Sequence, residues 1–136
     1  MSRSRVDSLS VSGFKSIREL LDFKLNNLNV LIGANGSGKS NFIGLFRLLN
    51  EIYAQQLQIF VQKQGGPDAL LHFGRKHSEM LHVEFRFGSN SYEFDLEPTS
   101  DNRMIFRKEI SRFDGYYHDH PVMLGTGHVE AKLKNT

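Results

Sequence analysis

The residues with the plainest chemistry are Gly33-Ala34-Asn35-Gly36-Ser37-Gly38-Lys39-Ser40, which satisfy G-x-x-x-x-G-K-[ST] at each fixed position. Glycines at 33, 36 and 38 let the backbone enter conformations closed to residues with a Cβ. Successive N–H groups can then turn inward and form a nest for an anion. A helix opening directly from such a loop adds unpaired N–H groups and the positive end of its dipole. Lys39 would bridge the β- and γ-phosphates of a nucleoside triphosphate, and the Ser40 hydroxyl would ligate Mg²⁺. The pattern therefore predicts a P-loop for ATP and Mg²⁺, with Asn35, Gly36, Ser37, Gly38, Lys39 and Ser40 on the phosphates and Ser40 also on the metal. Chance alone would produce the fixed positions on the order of 1 time in 200 over such a length.

The flanking sequence supplies the elements that such a loop needs. Leu28-Asn29-Val30-Leu31-Ile32 is a short, mostly apolar run, the pattern of a strand covered on both faces inside a parallel sheet. After Lys39 the period changes: Phe42, Leu45, Phe46, Leu49, Ile52, Tyr53 and Phe60 follow helical spacing, and Gly65-Gly66-Pro67 ends the run. Ile43, Leu48 and Ile59 add apolar surface elsewhere on this helix and predict cover on more than one face. Upstream, Leu9, Val11 and Phe14 alternate as one strand and Leu21, Phe23 and Leu25 as a second. Downstream, Leu81, Val83, Phe85 and Phe87 alternate with polar residues, a turn follows at 88–91, and Tyr92, Phe94 and Leu96 alternate again. Met104–Ile110 reads as a further strand, Asp114-Gly115 as a turn, and the tail from His128 as the opening of a helix.

The expected fold class is α/β, a P-loop NTPase lobe of strand, P-loop and helix with an antiparallel β subdomain. Residues 1–64 would hold the nucleotide-binding strands, loop and helix, 65–127 the hairpins, and 128–136 the start of a truncated helix. At 136 residues with 39% hydrophobic and 24% charged side chains, the chain has the composition of one soluble globular domain. It has no cysteine and no apolar run near a membrane-spanning length, so a cytoplasmic protein without membrane contact is the default. A formal charge of +2 is too small to imply nucleic-acid binding, and Arg75-Lys76-His77 and Arg107-Lys108 read as solvated surface.

Lesser candidates carry less. On a strand, His118 and His120 would share a face with Asp119 opposite, enough for two metal ligands but not three. Asp95, Glu97 and Asp101 bracket Pro98 without an evident basic or hydroxyl partner, and His82-Glu84-Arg86 reads as a solvated strand face. No catalytic residue is assigned. A GTPase is disfavoured, because no Asp begins D-x-x-G and N-K-x-D does not occur. A small-molecule kinase would need an Arg-rich lid, for which Arg103, Arg107 and Arg112 are a poor substitute.

Three pieces together resemble the N-terminal segment of the SMC/RecF-type, ABC-like ATPases: Val11-Ser12-Gly13-Phe14-Lys15-Ser16, Leu21–Leu25, and the P-loop extended to Asn41. The whole chain is similar to the front part of the stand-alone predicted ATPases of that group, some of which sit beside OLD-type nucleases. The resemblance implies that Lys15 and Ser16 lie near the ribose or phosphates and Asn41 near the α-phosphate side. From the residues alone, Phe14-Lys15-Ser16 is simply a strand end. The resemblance further implies nucleotide-sandwiched homodimers of the complete protein and a role with DNA, in repair or defence.

The departures bear on turnover. Four apolar residues followed by Asp and a catalytic Glu are not found: Leu20-Leu21-Asp22 is too short and Tyr92-Glu93-Phe94-Asp95 is interrupted. Leu9-Ser10-Val11-Ser12-Gly13 precedes the P-loop and cannot serve as the group's signature motif. The group's Gln beyond the antiparallel strands has no counterpart, since Gln62 and Gln64 sit at the end of the helix. The expectation is an ATP-binding lobe whose hydrolysis needs a missing half. The alternative is a non-hydrolysing interaction module with the P-loop as scaffold.

Overall fold

The computed structural model describes residues 6–25, 36–112 and 122–133, with 36–40 described by their backbone. Strands β1 (Ser8–Phe14) and β2 (Ile17–Lys24) precede helices α1 (Gly36–Tyr53), α2 (Leu57–Gln64) and the one-turn α3 (Pro67–Leu70). Strands β3 (Leu81–Phe87), β4 (Asn90–Pro98), β5 (Met104–Arg112) and β6 (Val122–Gly125) follow. Among the described residues the strands form one six-stranded sheet in the order β2-β1-β3-β4-β5-β6, with every pairing antiparallel. The expected division between nucleotide-binding strands and later hairpins is thus bridged, because β1 pairs directly with β3. The anticipated parallel strand at 28–32 lies outside the described residues.

Alternation places the apolar residues on one face of the sheet. Leu9, Val11, Leu81, Val83, Phe85, Tyr92, Phe94, Leu96, Met104 and Phe106 are buried with Phe42, Leu45, Leu48 and Ile52 of α1 and Leu57, Phe60 and Val61 of α2. Rings mark the seam, with Phe46 at 6.1 Å from Phe85 and Phe23 at 5.4 Å from Phe42. The other side of the helices stays open: Ile43 and Ile59 are each 50% exposed, so the expected second cover is not present among the described residues.

The second strand differs from its predicted alternation. A bulge opposite Ser10 takes up Leu21 and Asp22, with Asp22 at φ 50° and its N–H donating to Ser10 Oγ at 2.8 Å. Val11 therefore faces Leu20, and Leu21 is 66% exposed. At the other end Gly13 has φ 78°, and a Cβ there would lie 2.5 Å from the Met80 carbonyl oxygen, so glycine is required by both backbone and space.

The predicted single long helix is two helices. The chain breaks at 54–56, where Gln55 takes φ 63°, and α2 restarts at Leu57. The N–H groups of Leu57 and Gln58 donate to Glu130 Oε1 and Oε2 at 2.8 and 3.1 Å, a cap supplied from the tail. Such a cap contributes about 1 kcal/mol. Gln58 Nε2 donates to the carbonyls of Met104 and Val129, and Gln55 Nε2 to that of Ala131. Residues 128–133 consequently run as an irregular strap bridged to β5 at Phe106, and not as the expected helix start.

The polar face of the sheet is more organised than a solvated surface. His82 Nδ1 hydrogen-bonds Asp95 Oδ1, His82 Nε2 lies 3.7 Å from Glu93, and Lys108 Nζ reaches Glu93 and Asp95 at 3.6 and 3.7 Å. Asp95 thus has the basic partners its sequence neighbourhood did not reveal, and Asp101 bonds Thr99 and Arg103. The Asp95 hydrogen bond raises the His82 pKa above the ordinary 6.5, against the effect of burial. Burial pushes Asp95 up, but His82 and Lys108 outweigh it and hold the group below 3.8. The His82 contribution is complete below 6.5 and is lost as pH rises through its higher folded value. The Asp95 contribution is complete above 3.8 and is lost as pH falls through its lower folded value. Urea melts are therefore expected to show about 1 kcal/mol more stability near pH 6 than near pH 8, with a flatter profile in His82→Gln. Equal slopes in the two proteins would remove this pair from the balance.

Candidate nucleotide-binding site

Helix α1 begins inside the P-loop sequence: Gly36, Ser37, Gly38, Lys39 and Ser40 occupy its first residues, so their N–H groups belong to a helix N-terminus. Gly33, Ala34 and Asn35 lie outside the described residues. The next residue, Asn41, is described. Its Nδ2 donates to Ser16 Oγ, joining the β1–β2 turn to the helix one residue beyond Ser40.

That turn is held from several sides. Lys15, at φ 51°, donates its N–H to the Leu70 carbonyl at 2.8 Å, and its own carbonyl meets His72 Nδ1 at 2.7 Å. Lys15 Nζ lies 5.7 Å from the centroid of the Phe14 ring and donates to Gln64 Oε1 at 3.3 Å. It passes Gly44, where an added Cβ would meet it at 3.5 Å. The structure therefore brings Ser16 and Asn41 together, while Lys15 runs along α1 toward the end of α2. Gln64 is the partner of that lysine and not a bare surface residue.

Sequence reasoning missed the segment beside this turn. Leu71 and residues 73–77 border a cavity of about 670 Å³ together with Lys15, Ser16 and Asp68. Arg75, expected to be solvated, is pinned: its N–H and Nε donate to Asp68 Oδ1 at 2.8 and 3.1 Å, and its guanidinium reaches the Thr99 carbonyl and Asn102 Oδ1. The Arg75 backbone N–H, then its side chain, hold the Asp68 pKa below the ordinary value. The only sequence signal was an aromatic, Phe73, set among polar residues between a Gly-Pro break and a strand.

Also missed was a carboxyl group within the core. Glu109 is fully buried, and its oxygens accept from Tyr92 OH at 2.6 Å and from the N–H groups of Lys132 and Leu133 at 2.9 and 3.2 Å. His128 Nε2 lies 2.7 Å from Glu109 Oε1, and its ring stacks on Phe106 at 4.7 Å. Burial and the Glu109 contact push the Tyr92 pKa upward. This cluster ties the tail to the sheet and lies away from the β1–β2 turn in sequence and pairing. Among the described residues no group of three or more His, Cys, Asp or Glu forms a metal site, and His118-Asp119-His120 falls outside them.

Residues 28–120, more than half of the chain and including the P-loop, match the family described as "AAA domain, putative AbiEii toxin, Type IV TA system". The chain belongs to this AAA-domain family. The AAA domain is also similar to structural maintenance of chromosomes protein 3 of Arabidopsis thaliana, at 33% identity over 115 residues, 79% of this chain and 9% of that protein. It is similar to urease accessory protein 2 of Cryptococcus neoformans var. grubii, at 32% identity over 110 residues, 77% of this chain and 8% of that protein. The chain thus spans under a tenth of the length of these curated relatives. No solved structure matches. Together the family and the relatives place the AAA domain among nucleotide-binding P-loop ATPases of SMC-like kind. Among the described residues no helix is long and apolar enough to cross a membrane.

Proposed function

We propose that this AAA domain is an ATP- and Mg²⁺-binding lobe of an SMC/RecF-like ATPase that holds nucleotide without turning it over unaided. The observation that supports it best is the start of α1 within the P-loop, with Asn41 fastened to Ser16. The residues present suit the ligand: helix N–H groups and Lys39 for the phosphates, and the Ser40 hydroxyl for Mg²⁺. Hydrolysis needs a positioned water and a base, and the sequence has no Asp-Glu pair after an apolar strand to supply them. A second lobe would provide these groups, with dimerisation around the nucleotide. A role with DNA or in defence is supported by the chromosome-maintenance relative and by the toxin–antitoxin wording of the family.

Calorimetric titration of the chain with ATP and Mg²⁺, alongside a phosphate-release assay, tests this reading. Saturable binding without release is expected. Release above background would show that the chain carries its own hydrolytic groups. No binding would favour the second reading, a non-hydrolysing scaffold module.

A further inference from the structure

Phe73 is 74% exposed, the most exposed large apolar side chain among the described residues, yet the loop that carries it is firmly held. His72 donates its N–H to the Gly13 carbonyl at 2.8 Å, and its own carbonyl accepts from Ser78 Oγ at 2.7 Å. Gly74 N–H bonds the Leu71 carbonyl at 3.0 Å, and Arg75 is fixed to Asp68, Thr99 and Asn102. Phe73 itself sits at φ 57°, a conformation that is costly for a residue with a large side chain. A fold that places an aromatic residue there, on a braced loop and facing water, holds the ring out against both the hydrophobic effect and backbone preference.

The surroundings define what would cover the ring. The His72 ring lies 4.1 Å from that of Phe73, and the His77 ring meets it edge-on at 6.2 Å. The cavity beside them is bordered by Lys15, Lys76 and Arg75, and by Ser16, whose hydroxyl touches Asn41 next to the P-loop. A flat π-face beside a cavity whose border includes Lys76 and the pinned Arg75 suits a planar heteroaromatic ring that carries phosphate. We propose that Phe73 is the stacking ledge for a nucleobase. The base belongs either to the nucleotide whose phosphates rest on the P-loop, across the Ser16–Asn41 bridge, or to a single-stranded nucleic acid. The first source rests on the function proposed above, and the second does not.

The test uses the full chain, Phe73→Ala, Phe73→Trp and Lys39→Ala. Its probes are ATP, inorganic tripolyphosphate (both with Mg²⁺) and a fluorescein-labelled oligothymidylate. Stacking on one aromatic predicts a loss of roughly tenfold in affinity for the base-bearing probe in Phe73→Ala, with Phe73→Trp close to the parent. Tripolyphosphate, which has no base, should bind parent and Phe73→Ala alike. Loss confined to ATP assigns the ledge to the P-loop nucleotide, and loss confined to the oligothymidylate assigns it to a nucleic-acid strand. Binding of ATP that depends on Lys39 but is indifferent to Phe73, with no oligothymidylate effect, overturns the ledge and leaves the P-loop reading standing. An equal loss for tripolyphosphate also overturns it, because the substitution would then act through the loop. Failure of both base-bearing probes to bind the parent chain overturns the ledge together with ATP binding.

Discussion

Lys39→Ala is expected to weaken binding of ATP with Mg²⁺ by about 100-fold, or roughly 3 kcal/mol. The ammonium would face the most highly charged part of the ligand, where hydrogen bonds between ions are about twice as strong as neutral ones. Alanine removes the charge and the donors together and leaves the phosphates only the backbone nest and the helix N-terminus. Lys39→Arg should not restore full affinity, since a planar guanidinium does not reproduce a compact ammonium within a tight loop. Calorimetric titration of the three proteins reads the effect directly. Retention of affinity within about threefold in Lys39→Ala would remove this lysine from the site.

Glu109→Leu is expected to destabilise the fold by about 3 kcal/mol, lowering the melting temperature by about 10 °C. The carboxyl group is fully buried, and its loss leaves Tyr92 OH, His128 Nε2 and the N–H groups of Lys132 and Leu133 without their common acceptor. Buried donors stripped of a partner cost far more than the net value of the bonds they made. Glu109→Gln retains one acceptor oxygen and should lose about 1 kcal/mol. Thermal melts of both variants decide it. A Glu109→Leu protein melting with the parent would mean that the tail is not held through this residue.

What the sequence disclosed, and what it withheld, follows from the range over which each signal acts. The helix after the glycine-rich loop was legible because the change of period is local, and a helix does open at residues 36–40. The hairpin of β3 and β4 was legible because alternation and the turn at Gly88-Ser89 agree, and Phe87 pairs with Asn90. The break in the long helix was not legible. Ala54, Gln55 and Gln56 include no glycine or proline, and the cap that restarts the helix comes from Glu130, far along the chain. Glu109 carries no local signal of burial, because charge usually marks the wet face. Its partners come from β4 and the tail, which a local pattern does not join. Around the candidate site, the hydrogen bond from Asn41 to Ser16 joins two motifs that the sequence keeps apart, and the Phe73 loop depends on contacts with Asp68, Thr99 and Gly13.

The strap at 128–133 ties the end of the described chain to the core at three points. Glu130 closes the start of α2, Ala131 packs in the core, and the backbone of Lys132 and Leu133 completes the shell around Glu109. A boundary drawn after β6, where the last strand ends, would expose a helix end and strand a carboxyl group in the interior. A fusion or deletion that keeps these hydrogen bonds must leave Leu133 in place, although no secondary structure marks that position.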